Sequence, residues 1–342
     1  MKSLLTTAIP YFLFVLFLGS CQVEDEQVLY VPDGLMQIPD HFPPVEFPED
    51  NAFTIERWEL GKQLFFDPIL SVDTSISCAS CHQPALAFSD GLPVSLGAGN
   101  VTGRRNSPSL GNIAYHPYFT REGGLPTLEM QVLVPIQEHD EFNFNIVLIA
   151  ERLQNDPAYI EAANKAYGRD PDPFVITRSL ATFERSLITG NSIYDQYLKS
   201  HDPELMSPSQ LRGMELFFSD RTNCRSCHSG FNFTNYAFEN NGLYEEYKDP
   251  GRERFSNDPA DNARFKVPSL RNIEMTAPYM HDGSISSLKE VVAHYNSGGR
   301  NHPNKSPFIK PLGLSDQEIN DLVAFLGSLT DQSFIQNPNF SK

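Results

Sequence analysis

Two short stretches hold the residues best able to do chemistry: Cys78-Ala79-Ser80-Cys81-His82 and, 146 positions later, Cys224-Arg225-Ser226-Cys227-His228. Two thiols three residues apart with an imidazole beside the second is the spacing of c-type haem attachment. The thiols add to the porphyrin vinyl groups and the histidine becomes an axial iron ligand. On one helical turn, positions i, i+3 and i+4 share a face, so both sulfurs and the ring reach a single flat macrocycle. A zinc site made of two Cys-x-x-Cys pairs has them about 15 to 20 residues apart, and a thioredoxin-like redox pair needs a βαβ setting that neither copy has. Structural disulfides would not require the histidine. The chain is therefore expected to carry two covalent c-type haems, one on Cys78, Cys81 and His82, the other on Cys224, Cys227 and His228.

The repetition extends beyond these motifs. "PSLGNIAYHPYFTREGGLPTLEMQVLVP" (108–135) matches "PSLRNIEMTAPYMHDGSISSLKEVVAHY" (268–295). With Thr127-Leu128-Glu129 laid on Ser287-Leu288-Lys289, the residue seven after each leucine is Pro135 in the first copy and Tyr295 in the second. A tyrosine oxygen can bind iron and a proline cannot. If equivalent positions face equivalent haems, the second haem is six-coordinate through His228 and Tyr295. The first keeps an open face opposite His82, where a small oxygen-containing molecule can bind. Gln131 lies one turn before Pro135 and Glu141 just beyond it. A carboxylate that moves a proton and an amide that holds a bound oxygen are what peroxide cleavage asks for. His294 points to another helix face than Tyr295 and, with Met275 and Met280, is the lesser axial candidate; His116 and His139 read as core or solvent residues.

Helices must position these side chains. "TIERWELGKQLFF" (54–66) reads as a helix capped by Thr54, with Arg57 leaving the capping box incomplete. "SPSQLRGMELFFSD" (207–220) restarts the pattern ahead of the second motif, with Ser207 or Ser209 as cap. "DPFVITRSLATFERSLITGNSIYDQYL" (172–198) has apolar residues at helical spacing and reads as connecting helices. In "LSDQEINDLVAFLGSL" (314–329), Ser315 and Glu318 form a capping box. The expected fold is mainly α: two haem domains related by the internal repeat, at 52–195 and 196–335, followed by a tail at 336–342.

The N-terminus reads as an export signal: Met1-Lys2-Ser3 is basic, Leu4 to Leu18 is nearly all apolar, and small residues close the run. Pro10 interrupts it, and it falls short of the roughly 20 residues a membrane span needs. Its "LGSC" ending resembles a bacterial lipoprotein signal, which implies a signal peptide of residues 1–20, acylation of Cys21, and a lipid-tethered chain in the periplasm or on the outer membrane. Residues 21–51 are acidic, proline-rich and aperiodic, and read as a tether. Of the five cysteines, none is then left outside the haem motifs. With 40% hydrophobic residues the chain can build a core, and a formal net charge of -17 argues against nucleic acid while suiting a basic redox partner.

"LGKQLFFDPILSVDTSISCASCHQPALAFSDG", "RRNSPSLGN", "TLEMQVLVPI", "FERSLITGNSIYDQYL", "RGMELFFSD", "FKVPSLRNIEMTAPYMHDG" and "LKEVVAHYNSGG" together resemble the bacterial dihaem cytochrome c peroxidase family, which includes the MauG enzymes. The resemblance runs from residue 52 to about 330. It implies two cytochrome-c-like domains, hydrogen peroxide reduced to water at the N-terminal haem, and electrons passed through the C-terminal haem from a small c-type cytochrome or another redox protein. The family's distal glutamine and glutamate match Gln131 and Glu141. Its second axial position, methionine in the peroxidases proper and tyrosine in the MauG enzymes, matches Tyr295. The resemblance also implies one calcium ion between the haems, held by the Asn106 side chain and the carbonyls of Thr276 and Pro278; calcium favours such oxygens.

Two positions depart from the family pattern. Ala98 stands where many of the peroxidases carry a histidine that blocks the iron until the other haem is reduced, so no reductive priming is expected. Arg121 stands where a tryptophan lies between the haems, leaving Tyr118 or Phe119 as substitutes; Trp58, the only tryptophan, reads as a packing residue. His281 matches a position near the second haem edge and reads as a hydrogen-bonding core residue. An anionic tyrosinate lowers a haem potential and methionine raises it. Tyr295 thus favours a MauG-like oxidase of a protein or small molecule, whereas the missing tryptophan weakens charge sharing between haems. The reading is a cytochrome-c peroxidase, with that oxidase as the alternative. A pure electron carrier fits least, because its haems would have both axial positions filled.

Overall fold

Four helices frame the molecule, and the reason each begins where it does is visible in its cap. The computed structural model describes residues 34–342; the export signal, Cys21 and the first part of the tether lie outside the described residues. In the first half the helix Ile55–Phe66 crosses the helix Pro173–Arg185, and in the second Pro208–Phe218 crosses Asp316–Gly327. Thr54 accepts the Arg57 N–H, and Asp172 accepts that of Val175 ahead of a first-turn proline. Ser207 with Gln210 and Ser315 with Glu318 close reciprocal capping boxes. Ser207, not Ser209, is therefore the cap.

Both crossings are close because each has a glycine at the contact. A Cβ on Gly61 would stand 1.9 Å from the Ser179 carbonyl oxygen, and one on Gly213 would stand 1.9 Å from that of Asp321. A single methyl at either site must push a helix pair apart. Gly61→Ala or Gly213→Ala is expected to cost about 3 kcal/mol of stability, read as a lower midpoint in denaturant; an unchanged midpoint would contradict the tight crossing. The rings beside the crossings repeat as well. Phe65 meets Phe183 at 5.0 Å between centroids, and Phe217 meets Phe325 at 5.1 Å. Trp58 is buried in the first core and donates its Nε1–H to Ser186 Oγ at 2.8 Å. Pro173–Arg185, expected as a connecting helix, is instead the central partner of that core, because its apolar face is filled by Ile55–Phe66.

The halves join by reciprocal backbone hydrogen bonds. In the register of the repeat, Asn106 pairs with Lys266 and Arg121 with His281. Asn106 N donates to His281 O at 2.9 Å, and Lys266 N donates to Arg121 O at 2.7 Å. Asn112 and Asn272, also paired, both adopt the left-handed region, with φ 62° and 57°, which asparagine tolerates better than most residues. Their N–H groups reach Leu187 O and Leu329 O at 2.8 and 3.1 Å.

Two expectations fail at the chain ends. From residue 34 the supposed tether is packed: Met36, Phe42 and Asn51 are buried, and the Phe42 ring lies 4.5 Å from that of Phe231 with the Arg271 guanidinium 4.8 Å away. The supposed tail at 336–342 crosses back to the first half. Phe340 packs on Phe88 beside Phe334, which precedes the tail, and Asn339 donates to Gly34 O at 2.9 Å. In such proline-rich chain of isolated single turns each apolar anchor is placed singly, so no periodicity announces its burial.

Candidate haem centres and the region between them

The first motif forms a helical turn, Cys78–Cys81, whose start is closed by Ser77 and Ser80; His82 follows at its C-cap. His82 Nδ1 lies 2.9 Å from Phe88 O. A carbonyl only accepts, so Nδ1 carries the proton and Nε2 presents a lone pair, the tautomer iron requires. The second motif differs from expectation, being a tighter 3-10 turn, Cys224–Ser226, entered through Asn223 with φ 56°. The outcome at the ring is the same: His228 Nδ1 lies 3.0 Å from Phe233 O. Burial lowers the pKa of both imidazoles, holding them neutral as ligands must be.

Phe88 and Phe233, which fix both rings, escaped the sequence reading. Each holds a positive φ, 62° and 50°, costly for a bulky side chain and kept because the rings are 0% and 2% exposed in their cores. The only signal was a phenylalanine five or six residues after each motif histidine. With none of the four motif cysteines in a disulfide and no protein group on either Nε2 among the described residues, the side chains present fit a covalent haem at each motif.

Opposite the motifs, the two copies of the distal segment keep the same register. The antiparallel bridges Phe119–Leu125 and Tyr279–Ile285 precede them. Thr127 then caps Leu128–Gln131, and Ser287 caps Leu288–Ser297. Counted from these caps Pro135 and Tyr295 hold the same position, although the first copy is interrupted at Val132 and resumes as Leu133–Gln137 while the second runs unbroken. Burial, then nearby Cys227 and Cys224, raises the Tyr295 phenol to about 12, with an Asn241 hydrogen bond opposing. The hydroxyl thus lies within electrostatic reach of the second thiol pair.

Glu141 stands in the corresponding relation to the first pair. It raises the pKa of both Cys78 and Cys81, and its own carboxyl is pushed up to about 7 by crowding protein, then by Asp140 and Glu138. Glu141 is exposed at the surface, yet the protein packed around its carboxyl is the first cause of that rise. Its backbone is pinned: Glu141 O accepts from Ala98 N at 2.8 Å, Phe142 N donates to Pro135 O at 3.0 Å, and Val72 N donates to Phe142 O at 3.1 Å. Gln131, half-buried, closes the turn begun at Thr127, and its side chain has no hydrogen bond to protein among the described residues.

The other candidates are placed elsewhere. His294 Nε2 lies 3.0 Å from Asn241 O, Met280 Sδ accepts from Asn241 Nδ2 at 3.1 Å, and Met275 packs against the first core. His139 is exposed; His116 accepts from Lys266 Nζ at 3.2 Å and is buried as a neutral ring. His281, expected to hydrogen-bond, instead stacks on Phe265 at 4.3 Å, and its contribution to bonding is its backbone carbonyl. Tyr118 donates to Tyr236 O at 2.5 Å and stacks on Phe238 at 5.2 Å, while Phe119 is buried in the first core.

Between the halves lies a charged cluster. Arg121 Nη2 donates to Asn106 O at 2.7 Å and to Asn106 Oδ1 at 3.1 Å. Arg105 bonds both carboxylate oxygens of Asp249, at 2.7 and 2.9 Å, and Glu122 at 2.5 Å. Burial, then Arg105, lowers Arg121 to about 10, so it stays charged at neutral pH. The amide oxygen that the family resemblance gives to calcium is thus already held by a cation. A calcium ion on the same oxygen would sit within about 6 Å of Nη2, at a repulsion of about 6 kcal/mol for an effective dielectric of about 20. Asn106, Thr276 and Pro278 therefore do not fit calcium in the way the resemblance implies.

Comparison with known proteins agrees with the two-centre arrangement. Residues 55–203 match the family model described as di-haem cytochrome c peroxidase, and residues 211–330 match that of cytochrome c. The chain is 39% identical over 290 residues to the methylamine utilization protein MauG of Methylorubrum extorquens, covering 83% of this chain and 81% of that one. It is 34% identical over 321 residues to the cytochrome-c peroxidase IdrP1 of Denitromonas iodatirespirans, covering 84% and 85%. The crystal structure of a MauG-like protein associated with microbial copper homeostasis superposes with a TM-score of 0.84 at 33% identity, covering 89% of this chain and 97% of that one.

Proposed function

Since the chain belongs to the di-haem cytochrome c peroxidase family, oxidoreductases with two c-type haems that act on peroxide, we propose that it reduces hydrogen peroxide to water in its N-terminal half. Electrons come by way of the C-terminal half from a small redox protein, for which the net charge of -17 suits a basic cytochrome. The observation that carries this reading is the pairing of Pro135 with Tyr295 while Glu141 stands beside the first thiol pair. A haem held by Cys78, Cys81 and His82 would supply the redox chemistry for reducing peroxide. The chain supplies the proton movement. Glu141 takes a proton from the inner oxygen and returns it to the outer one, which leaves as water; with its carboxyl at about 7, both forms are populated near neutrality. The Gln131 amide would donate a hydrogen bond to the peroxide.

Ala98 carries no group able to bind iron, and its N–H is spent on Glu141 O at 2.8 Å. The fully oxidised, haem-loaded protein is therefore expected to react with peroxide as fast as the half-reduced protein in stopped flow. A strong requirement for prior reduction would show that another residue occupies the first iron. Tyr295 beside the second thiol pair favours a second reading, a MauG-like oxidase that uses peroxide to oxidise a protein or small molecule. For location we propose export and lipid tethering at Cys21, which lies outside the described residues; among those residues no helix is long and apolar enough to cross a membrane.

A further inference from the structure

We propose that the Arg121 guanidinium is the fixed cation of the region between the two haem motifs, so that this chain joins its halves there without calcium. Arg121 holds Asn106 twice, through the backbone carbonyl at 2.7 Å and the side-chain oxygen at 3.1 Å. Asn106 is itself the residue whose N–H reaches across to His281 O at 2.9 Å, and Arg121 O receives the reciprocal bond from Lys266 N at 2.7 Å. One side chain thus ties together both strands of the reciprocal contact. A bound cation on the Asn106 oxygen would do the same from outside the sequence.

The local charges agree. Arg121 feels Arg105 beside it and the carboxylates of Glu122, Asp249 and Asp282, and Lys266 is the third cation of the group. Three cations face three anions, so the cluster is neutral as built, and a divalent ion would leave it with an excess of positive charge. Arg121 makes no salt bridge of its own among the described residues: Arg105 takes Asp249 and Glu122, and Tyr244 donates to Asp282 at 2.7 Å. Its charge is directed at a backbone carbonyl and an amide oxygen, groups that calcium also takes as ligands.

The experiment uses the full, haem-loaded chain and reads metal content and thermal midpoint, neither of which depends on peroxide activity. Wild type is expected to hold no stoichiometric calcium after dialysis, and its midpoint and visible spectrum should be indifferent to millimolar Ca²⁺ or EGTA. Arg121→Ala frees the Asn106 oxygens, so its midpoint should fall and then rise again with millimolar Ca²⁺ but not with Mg²⁺. One calcium per chain in wild type, or a midpoint or spectrum altered by EGTA, overturns the proposal. So does an Arg121→Ala protein that folds and stays blind to calcium. If that variant does not fold, the wild-type metal measurement still decides.

Discussion

Glu141→Gln is expected to slow the reaction of the oxidised, haem-loaded protein with hydrogen peroxide by about 10² to 10⁴-fold, while a small ligand such as cyanide still binds the open iron. The amide keeps the shape and a hydrogen-bonding oxygen but cannot accept and return a proton. The pH dependence gives an independent signature. The carboxyl sits at about 7, above the ordinary carboxylate range, because of crowding protein and the neighbouring Asp140 and Glu138. As the proposed base Glu141 must be deprotonated to act, so the wild-type rate should be low below pH about 6, climb through about 7 and level off above. The glutamine variant should be flat across that window. Equal turnover by the two proteins would remove Glu141 from the mechanism.

Tyr295→Met is the second large effect and separates the two functional readings. An anionic oxygen stabilises ferric iron and a thioether does not, so the potential of the C-terminal haem should rise, on the order of a few hundred millivolts. Electron entry from a reduced small cytochrome should then become easier. If wild type already consumes such a cytochrome briskly with peroxide, the tyrosine tunes a peroxidase. If wild type ignores the cytochrome and the variant accepts it, the oxidase reading leads. A C-terminal haem with unchanged spectrum and potential would mean that Tyr295 does not bind the iron.

The haem motifs and the repeat could be read from the chain because attachment and capping are local: thiol spacing, a serine or threonine at a helix start, and a seven-residue offset all survive without three-dimensional information. The capping boxes at Ser207 and Ser315 and the register of Pro135 on Tyr295 reappear in the fold for that reason. What was missed depends on distant chain. The Phe88 and Phe233 carbonyls orient the histidines through left-handed backbone that no propensity favours in phenylalanine. Phe42 is buried from irregular chain and Phe340 from a single 3-10 turn, and neither is long enough to show a period. Arg121 was legible as a lost tryptophan, but its bond to Asn106, 15 residues away, required the fold.

The most direct test of the central claim, one open iron and one closed, is the electron paramagnetic resonance spectrum of the fully oxidised protein with both haems attached. A high-spin ferric signal is expected from the haem on His82, open opposite Pro135, beside a low-spin ferric signal from the haem held by His228 and Tyr295. Two low-spin signals in the unliganded protein would contradict it, because a protein side chain would then occupy the iron face assigned to peroxide.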